Sequence, residues 1–205
     1  MEKNALIIFT RNPVYGEVKT RIAATLGNEA ALAVYNKLLE HTEAITRPLH
    51  CDKFVYYSEK VGNPDIWDPA MFSKKVQQGG NLGERMHAAF QDLFKAGYAQ
   101  VVIIGSDCYE LTSGVIGQAF ELLQTNDLVV GPATDGGYYL LGIKKPCPPL
   151  FEGKSWSTST LLAETLKTAA TGRMSFCLLP VLNDIDVKED IPAQLMDALR
   201  SGGYL

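Results

Sequence analysis

The sequence predicts an α/β protein with a mainly parallel sheet covered on both faces by helices. Two observations lead there. Short apolar runs rich in Val, Ile and Leu alternate with amphipathic helical patterns along the whole chain. Those runs are apolar throughout, as strands buried on both faces are. No repeat, low-complexity tract or linker breaks the alternation, so a single domain over residues 1–205 is expected.

Each element has a local reason. "ALIIF" (Ala5–Phe9) reads as the first strand. Val18 to Leu26 is helical in pattern and stops at Gly27, a C-terminal cap. Asn28 can cap a longer helix through Ile45, with Leu32, Tyr35, Leu38, Leu39 and Ile45 near helical spacing. "KFVYY" (Lys53–Tyr57) is a second strand and "FSKKVQ" (Phe72–Gln77) a weaker third. A helix from Leu82 to Ala96 carries the stripe Leu82, Met86, Ala89, Phe90 and Leu93, and Gly97 ends it.

"VVIIG" (Val101–Gly105) is the strongest buried-strand signal. Thr112 or Ser113 can cap a helix through Leu123. "DLVVGP" (Asp127–Pro132) and "YYLLGI" (Tyr138–Ile143) are consecutive strands without a helix between them, which points to one antiparallel or irregular element. A helix over Thr158–Ala169, a strand "SFCLLP" (Ser175–Pro180) and a final helix over Asp190–Arg200 complete the chain.

The composition narrows the function. A net charge of −4 argues against nonspecific nucleic-acid binding, so any anion site must be local. Cys51, Cys108, Cys147 and Cys177 form no C-x-x-C pair, and their spacing suits neither zinc nor a disulfide framework, so reduced thiols are expected. No run approaches the about 20 apolar residues that span a bilayer. "ALIIF" is too short for a signal peptide, so a cytoplasmic protein is the expectation. His41, His50 and His87 form no spaced ligand set.

In open α/β sheets, ligands bind beyond the carboxyl ends of the strands. The distinctive residues fall there. The first such loop, "FTRNPVYGEVKTRI", holds Arg11, Lys19 and Arg21 against one acid, Glu17. Gly16 lets its backbone turn tightly, and a helix starting near Val18 would offer free N–H groups to an anion. Charge-assisted bonds from Lys19 or Arg21, at about 1.5–3 kcal/mol each, outweigh a helix dipole worth about 0.3–1 kcal/mol. The competing account is an exposed basic turn. G-x-x-x-x-G-K-[ST] and G-x-G-x-x-G are both absent, which argues against a P-loop and a nicotinamide dehydrogenase.

Asp107 directly follows an apolar strand, where an unpartnered carboxylate is costly. A divalent cation shared with substrate phosphates is one natural partner, and a helix cap or turn is the alternative. Asp186 in "DIDVKED" can complete a Mg²⁺ or Mn²⁺ site, with Asp184 as a competitor. Asp190 is more simply the cap of the final helix. Asp135 precedes two glycines, so it is either a turn former or a ligand-facing acid beside Tyr138 and Tyr139. Gly79, Gly80 and Gly83 are either bare backbone for a ligand or a loop ending at a helix.

Taken together, "RNPVYGEVKTR", "QGGNLGER", "GSD", "GPATDGGYY" and "DID" resemble, in order, the motifs of the glycosyltransferase-A superfamily, the nucleotide-diphospho-sugar transferases. Within it the chain is most similar to radical-SAM/selenodomain-associated, or arsenosugar-biosynthesis-type, glycosyltransferases. Arg11 stands where that pattern has Lys, and Tyr15 and Tyr109 stand where Pro is frequent.

The resemblance implies a Rossmann-like three-layer sandwich. It implies a nucleotide held by Arg11, Gly16, Lys19, Arg21, Gln78, Gly80 and Arg85, with Lys19 and Asp135 as catalytic candidates. Asp107 and Asp186 would hold Mg²⁺ or Mn²⁺. The expected activity is transfer from a nucleotide-diphospho-sugar to a small-molecule acceptor. Nucleotidyl transfer from a nucleoside triphosphate, with pyrophosphate leaving, is the alternative. A nucleotide-binding module without turnover is the third.

Overall fold

The computed structural model describes residues 3–205. Seven strands form one continuous sheet in the order β3-β2-β1-β4-β6-β5-β7. They are β1 (Asn4–Thr10), β2 (Asp52–Tyr57), β3 (Phe72–Val76), β4 (Gln100–Ile104), β5 (Leu128–Pro132), β6 (Tyr138–Ile143) and β7 (Phe176–Leu178). The helices are α1 (Thr20–Leu26), α2 (Asn28–Thr46), α3 (Leu82–Lys95), α4 (Ser113–Leu123), α5 (Leu161–Thr171) and α6 (Ala193–Ser201).

The central strands are apolar because both their faces are covered. Leu6 and Ile8 of β1 point to one side, where Tyr35 and Leu39 of α2 and Ile116, Ala119 and Leu123 of α4 also pack. Ala5 and Ile7 point to the other, with Met86, Ala89, Phe90 and Leu93 of α3 and Ala169 of α5. The period of two along the strand thus divides one apolar run between two cores. A third cluster joins Ile22 of α1, Val34 and Leu38 of α2 and Leu195 and Leu199 of α6. β3, read as the weaker strand, is an edge strand carrying Lys74 and Lys75.

The irregular element is β6, which runs antiparallel to both β4 and β5. β1, β2, β3 and β4 are mutually parallel, and β5 is parallel to β7. Reversing β6 has a topological consequence. Tyr138 and Tyr139 open the strand beside the carboxyl end of β4, where Ile104 pairs with Leu140.

Three local expectations are corrected. α1 begins at Thr20, not near Val18, and is only seven residues long, because Lys19 is in a left-handed conformation that no helix continues through. Asn28 is the first residue of α2, not its cap: Gly27, at φ +88°, occupies that position without a capping side chain. α6 starts at Ala193 after Pro192, so Asp190 does not cap it. Its carboxylate is spent on a tighter turn, accepting the N–H groups of Asp186 and Val187. Thr112, by contrast, caps α4 and accepts from the Val115 N–H. The four cysteines are free thiols. No helix among the described residues is long and apolar enough to cross a membrane.

Leu141 is fully buried on β6, between Ile103 of β4 and Val130 of β5. Leu141→Ala should cost about 2–5 kcal/mol. Urea titration should show a lower midpoint with an unchanged slope.

Candidate functional site

The loops after β1, β3, β4 and β7 and the turn before β6 meet at the carboxyl edge of the sheet. They enclose an open cleft of about 600 Å³. Arg11, Asn12, Gln77, Arg85, Ser106, Asp107, Tyr138, Tyr139 and Asp184 line it. A narrower continuation runs beneath the first loop, between Arg11, Lys19, Arg21, Asp107 and Asp186.

Neutral groups shape the first loop. The buried Tyr35 hydroxyl accepts the Arg11 N–H at 2.8 Å and donates to the Arg11 carbonyl at 3.1 Å. It also lies 3.0 Å from the Thr10 hydroxyl. Asn12 is buried, and its amide donates to the Lys60 carbonyl at 2.8 Å while its oxygen accepts the Glu59 N–H at 3.1 Å. The loop after β1 is therefore stapled to the loop after β2. Gly16 has φ +79°, a conformation that a side chain would strain. Because these contacts are made by uncharged groups, the Arg11 side chain stays exposed at the cleft wall.

Lys19 is the exception to that exposure. Its backbone is left-handed (φ 48°, ψ 47°), a strain of about 1–3 kcal/mol for a non-glycine residue. Its side chain is only 6% exposed, and Nζ lies 2.9 Å from Asp107 Oδ1 and 3.4 Å from Asp186 Oδ1. The first contact is ionic rather than an aligned hydrogen bond, since Asp107 Oδ1 is buried without a hydrogen-bond partner. Burial pulls the Lys19 pKa down, but the charges of Asp107 and Asp186 outweigh it and leave the group above its ordinary value. It is a cation at any physiological pH. Arg21 reaches Asp186 at 3.8 Å but is 75% exposed, so that pair is worth little.

The two carboxylates are brought together by the main chain. The Ile185 N–H donates to the Asp107 carbonyl at 3.0 Å, and Ile185 is buried in the cluster with α1, α2 and α6. Asp184 faces the cleft on one side of this residue, and Asp186 meets Lys19 on the other. Burial, then the charges of Asp107 and Asp135, push the Asp184 carboxyl up to about 7.

The remaining expected residues fall unevenly. Arg85 lines the cleft, its Nε donating to the Gly79 carbonyl at 3.1 Å. Gln77, not Gln78, lines it too, and its amide bridges the Thr10 and Tyr56 carbonyls at 3.2 and 2.9 Å. The Gly80 N–H is taken by Glu84 within the turn that opens α3. Asp135 is exposed and accepts the Gly137 N–H at 2.8 Å, the geometry of a turn former. Gly136 has φ +88°, and a Cβ there would come within 2.2 Å of the Ser159 carbonyl oxygen. Both residues of that motif therefore have conformational duties, although the Asp135 charge still reaches Asp184.

Sequence reasoning passed over Tyr35, Asn12, Gln77 and Ser106. Tyr35 sits on an apolar helical stripe and looks like core, which all of it but the hydroxyl is.

The donor chemistry fits a hard divalent cation. Asp107 and Asp186 offer carboxylate oxygens, and such ions are commonly held by one or two carboxylates completed by substrate phosphates. The buried Asp107 Oδ1, whose one close neighbour is the Lys19 ammonium at 2.9 Å, is an anionic oxygen of that kind. Among the described residues no three His, Cys, Asp or Glu side chains could hold a metal by themselves. Phosphates would have to complete the shell.

Comparison with known proteins gives the family and the fold. The family model described as "Uncharacterized protein conserved in bacteria (DUF2064)" matches residues 41–158, more than half of the chain. The chain belongs to DUF2064. The matched segment carries the Gln77–Arg85 stretch, Asp107 and the Asp135 turn, but neither the basic loop nor Asp186. This DUF2064 protein shares 29% identity and a TM-score of 0.85 with a Desulfovibrio desulfuricans G20 protein provisionally named a nucleotide-diphospho-sugar transferase; the match covers 100% of this chain and 99% of that one.

The fold alone is shared with two more distant structures. One is the inositol-1-phosphate CTP transferase of T. maritima, with 14% identity, a TM-score of 0.55, and 98% and 97% of the chains covered. The other is 4-diphosphocytidyl-2C-methyl-D-erythritol synthase of Anaerococcus prevotii DSM 20548, with 10% identity, a TM-score of 0.57, and 98% and 96% covered. The DUF2064 chain thus has the nucleotide-diphospho-sugar transferase fold. No curated protein matches the sequence.

Tyr35→Phe removes the acceptor of the buried Arg11 N–H and should cost about 1–3 kcal/mol. Hydrogen exchange should then quicken selectively at Arg11 and Asn12.

Proposed function

We propose that this protein is a nucleotide-dependent transferase that takes a glycosyl group from a nucleotide-diphospho-sugar and passes it to a small-molecule acceptor. The observation that carries the reading is the meeting, in the cleft and its narrower continuation, of the basic loop after β1 with the strand-end carboxylates Asp107, Asp184 and Asp186. The likeness to the Desulfovibrio protein supports the donor class. The narrower kinship with radical-SAM-associated glycosyltransferases rests on the sequence motifs.

Arg11 and Arg21 of the first loop and Arg85 of α3 bind the diphosphate, and the buried Lys19 adds positive charge beside Asp107 and Asp186. The bond from the sugar's anomeric carbon to the phosphate oxygen breaks, and its electron pair leaves with the nucleoside diphosphate. The cations hold that negative charge as it grows. Asp107 and Asp186 would hold Mg²⁺ or Mn²⁺, which, when bound, neutralises the leaving diphosphate. The acceptor oxygen forms the new bond to the anomeric carbon, and its proton passes to a carboxylate. Asp184 lines the cleft while Asp135 is engaged by Gly137, so we assign the acceptor side to Asp184 and a supporting role to Asp135.

Nucleotidyl transfer is the second reading, favoured by two cations lining the main cleft, Arg11 and Arg85, besides those of the narrower continuation, which suit a longer polyphosphate. The fold shared with CTP-using enzymes is compatible with it. One assay separates these readings. The protein is incubated with Mn²⁺ and either nucleotide-sugars or nucleoside triphosphates. Released nucleoside diphosphate supports glycosyl transfer, and pyrophosphate supports nucleotidyl transfer. Neither product, with nucleotide still bound, leaves a non-catalytic module.

Asp107→Asn keeps the size and removes the charge. Nucleotide affinity in Mn²⁺ should fall about tenfold or more, as loss of a charge-assisted contact worth about 1.5–3 kcal/mol implies. Calorimetry with and without Mn²⁺ checks it; wild-type metal dependence in the variant would move the metal elsewhere. Asp135→Asn should change turnover much less than Asp184→Asn, in a steady-state comparison of the two.

A further inference from the structure

The residues that suit a divalent cation already hold a monovalent one, the Lys19 ammonium. Lys19 Nζ lies between Asp107 Oδ1 and Asp186 Oδ1, at 2.9 and 3.4 Å. The ammonium is buried, while the carboxylates remain 44% and 52% exposed, and both line the narrower continuation of the cleft. Arg21, at 3.8 Å from Asp186, adds positive charge from the solvent side.

Charge arithmetic sets the consequence. Two carboxylates and one ammonium sum to a single negative charge. A divalent cation added to that group leaves a net positive site, next to a fixed ammonium with little solvent to screen it. A bound diphosphate reverses the sign and gives both cations a partner. Ammonium and metal also compete for the same carboxylate oxygens, and the Lys19 side chain, 6% exposed at the residue before α1, has little solvent to retreat into.

We infer that Lys19 makes divalent-metal binding conditional on the nucleotide: the free protein holds its own cation between Asp107 and Asp186, and metal enters only together with phosphate. This rests on the transferase reading above and adds an order of binding to it. Coupling is reciprocal, so Mn²⁺ must raise nucleotide affinity by the factor by which nucleotide raises Mn²⁺ affinity.

The test titrates Mn²⁺, by calorimetry and by the electron paramagnetic resonance signal of the free ion. It uses wild type, Lys19→Met, Lys19→Gln and the charge-keeping Lys19→Arg. Each is measured alone and with saturating UDP, GDP, CDP or ADP. Without nucleotide, the Met and Gln variants should bind Mn²⁺ about tenfold or more tighter than wild type, and Lys19→Arg should behave as wild type. With the preferred diphosphate, wild-type Mn²⁺ affinity should rise by about 5–150-fold, the usual span of coupling between sites. Equal Mn²⁺ affinity in wild type and the neutral variants, with the diphosphate effect intact, overturns the role of Lys19 and leaves the transferase reading standing. If no diphosphate changes wild-type Mn²⁺ affinity, that reading fails as well. Should neither neutral variant fold, wild type decides alone: Mn²⁺ bound as tightly without diphosphate as with it overturns the inference.

Discussion

One buried ammonium joins three loops of this protein. Lys19 comes from the loop after β1, Asp107 from the loop after β4, and Asp186 from the segment after β7. These strands are not all neighbours in the sheet: β6 and β5 lie between β4 and β7. A charge pair buried on one side only is tolerable because the carboxylates keep water while the ammonium keeps two counter-charges. Removing either kind of partner leaves an uncompensated charge, so the three loops share one electrostatic fate.

Around that centre the protein separates shape from charge. Tyr35, Asn12 and Gln77 are neutral, and they fix the backbone where β1, β2 and β3 end. Arg11 and Arg85 are then not needed for folding contacts between the loops. Both residues line the cleft, Arg85 steadied by the Gly79 carbonyl and, more loosely, by the Gln77 side-chain oxygen at 3.5 Å. Cationic side chains released from structural duty suit the binding of a phosphorylated ligand.

The reversed strand β6 matters for the same site. Had β6 run parallel, its preceding turn would lie at the opposite edge of the sheet. Antiparallel pairing with β4 and β5 places Tyr138, Tyr139 and the Asp135 turn at the carboxyl edge. Gly131 leaves room for the Tyr139 ring, which a Cβ there would approach to 2.4 Å. Gly131 within β5 and Gly136 in the turn thus both carry packing duties.

The sequence by itself determined the elements and the edge at which chemistry gathers. Apolar runs such as "VVIIG" have few alternatives to a buried strand, and charged residues immediately after such strands must surface at their carboxyl ends. Arg11, Lys19, Asp107 and Asp186 were legible for that reason, and Arg85 through the motif resemblance. Tertiary structure alone decided which of them touch. The 3.4 Å contact between Lys19 and Asp186 spans 167 positions of chain, a separation over which no periodicity carries information. The same holds for Tyr35 and Asn12, whose polar atoms work through partners on other loops. It holds for Asp184 against Asp186 too: alternate side chains leave one segment in opposite directions, and only the pinning of Ile185 by the Asp107 carbonyl fixes which faces the cleft and which faces Lys19.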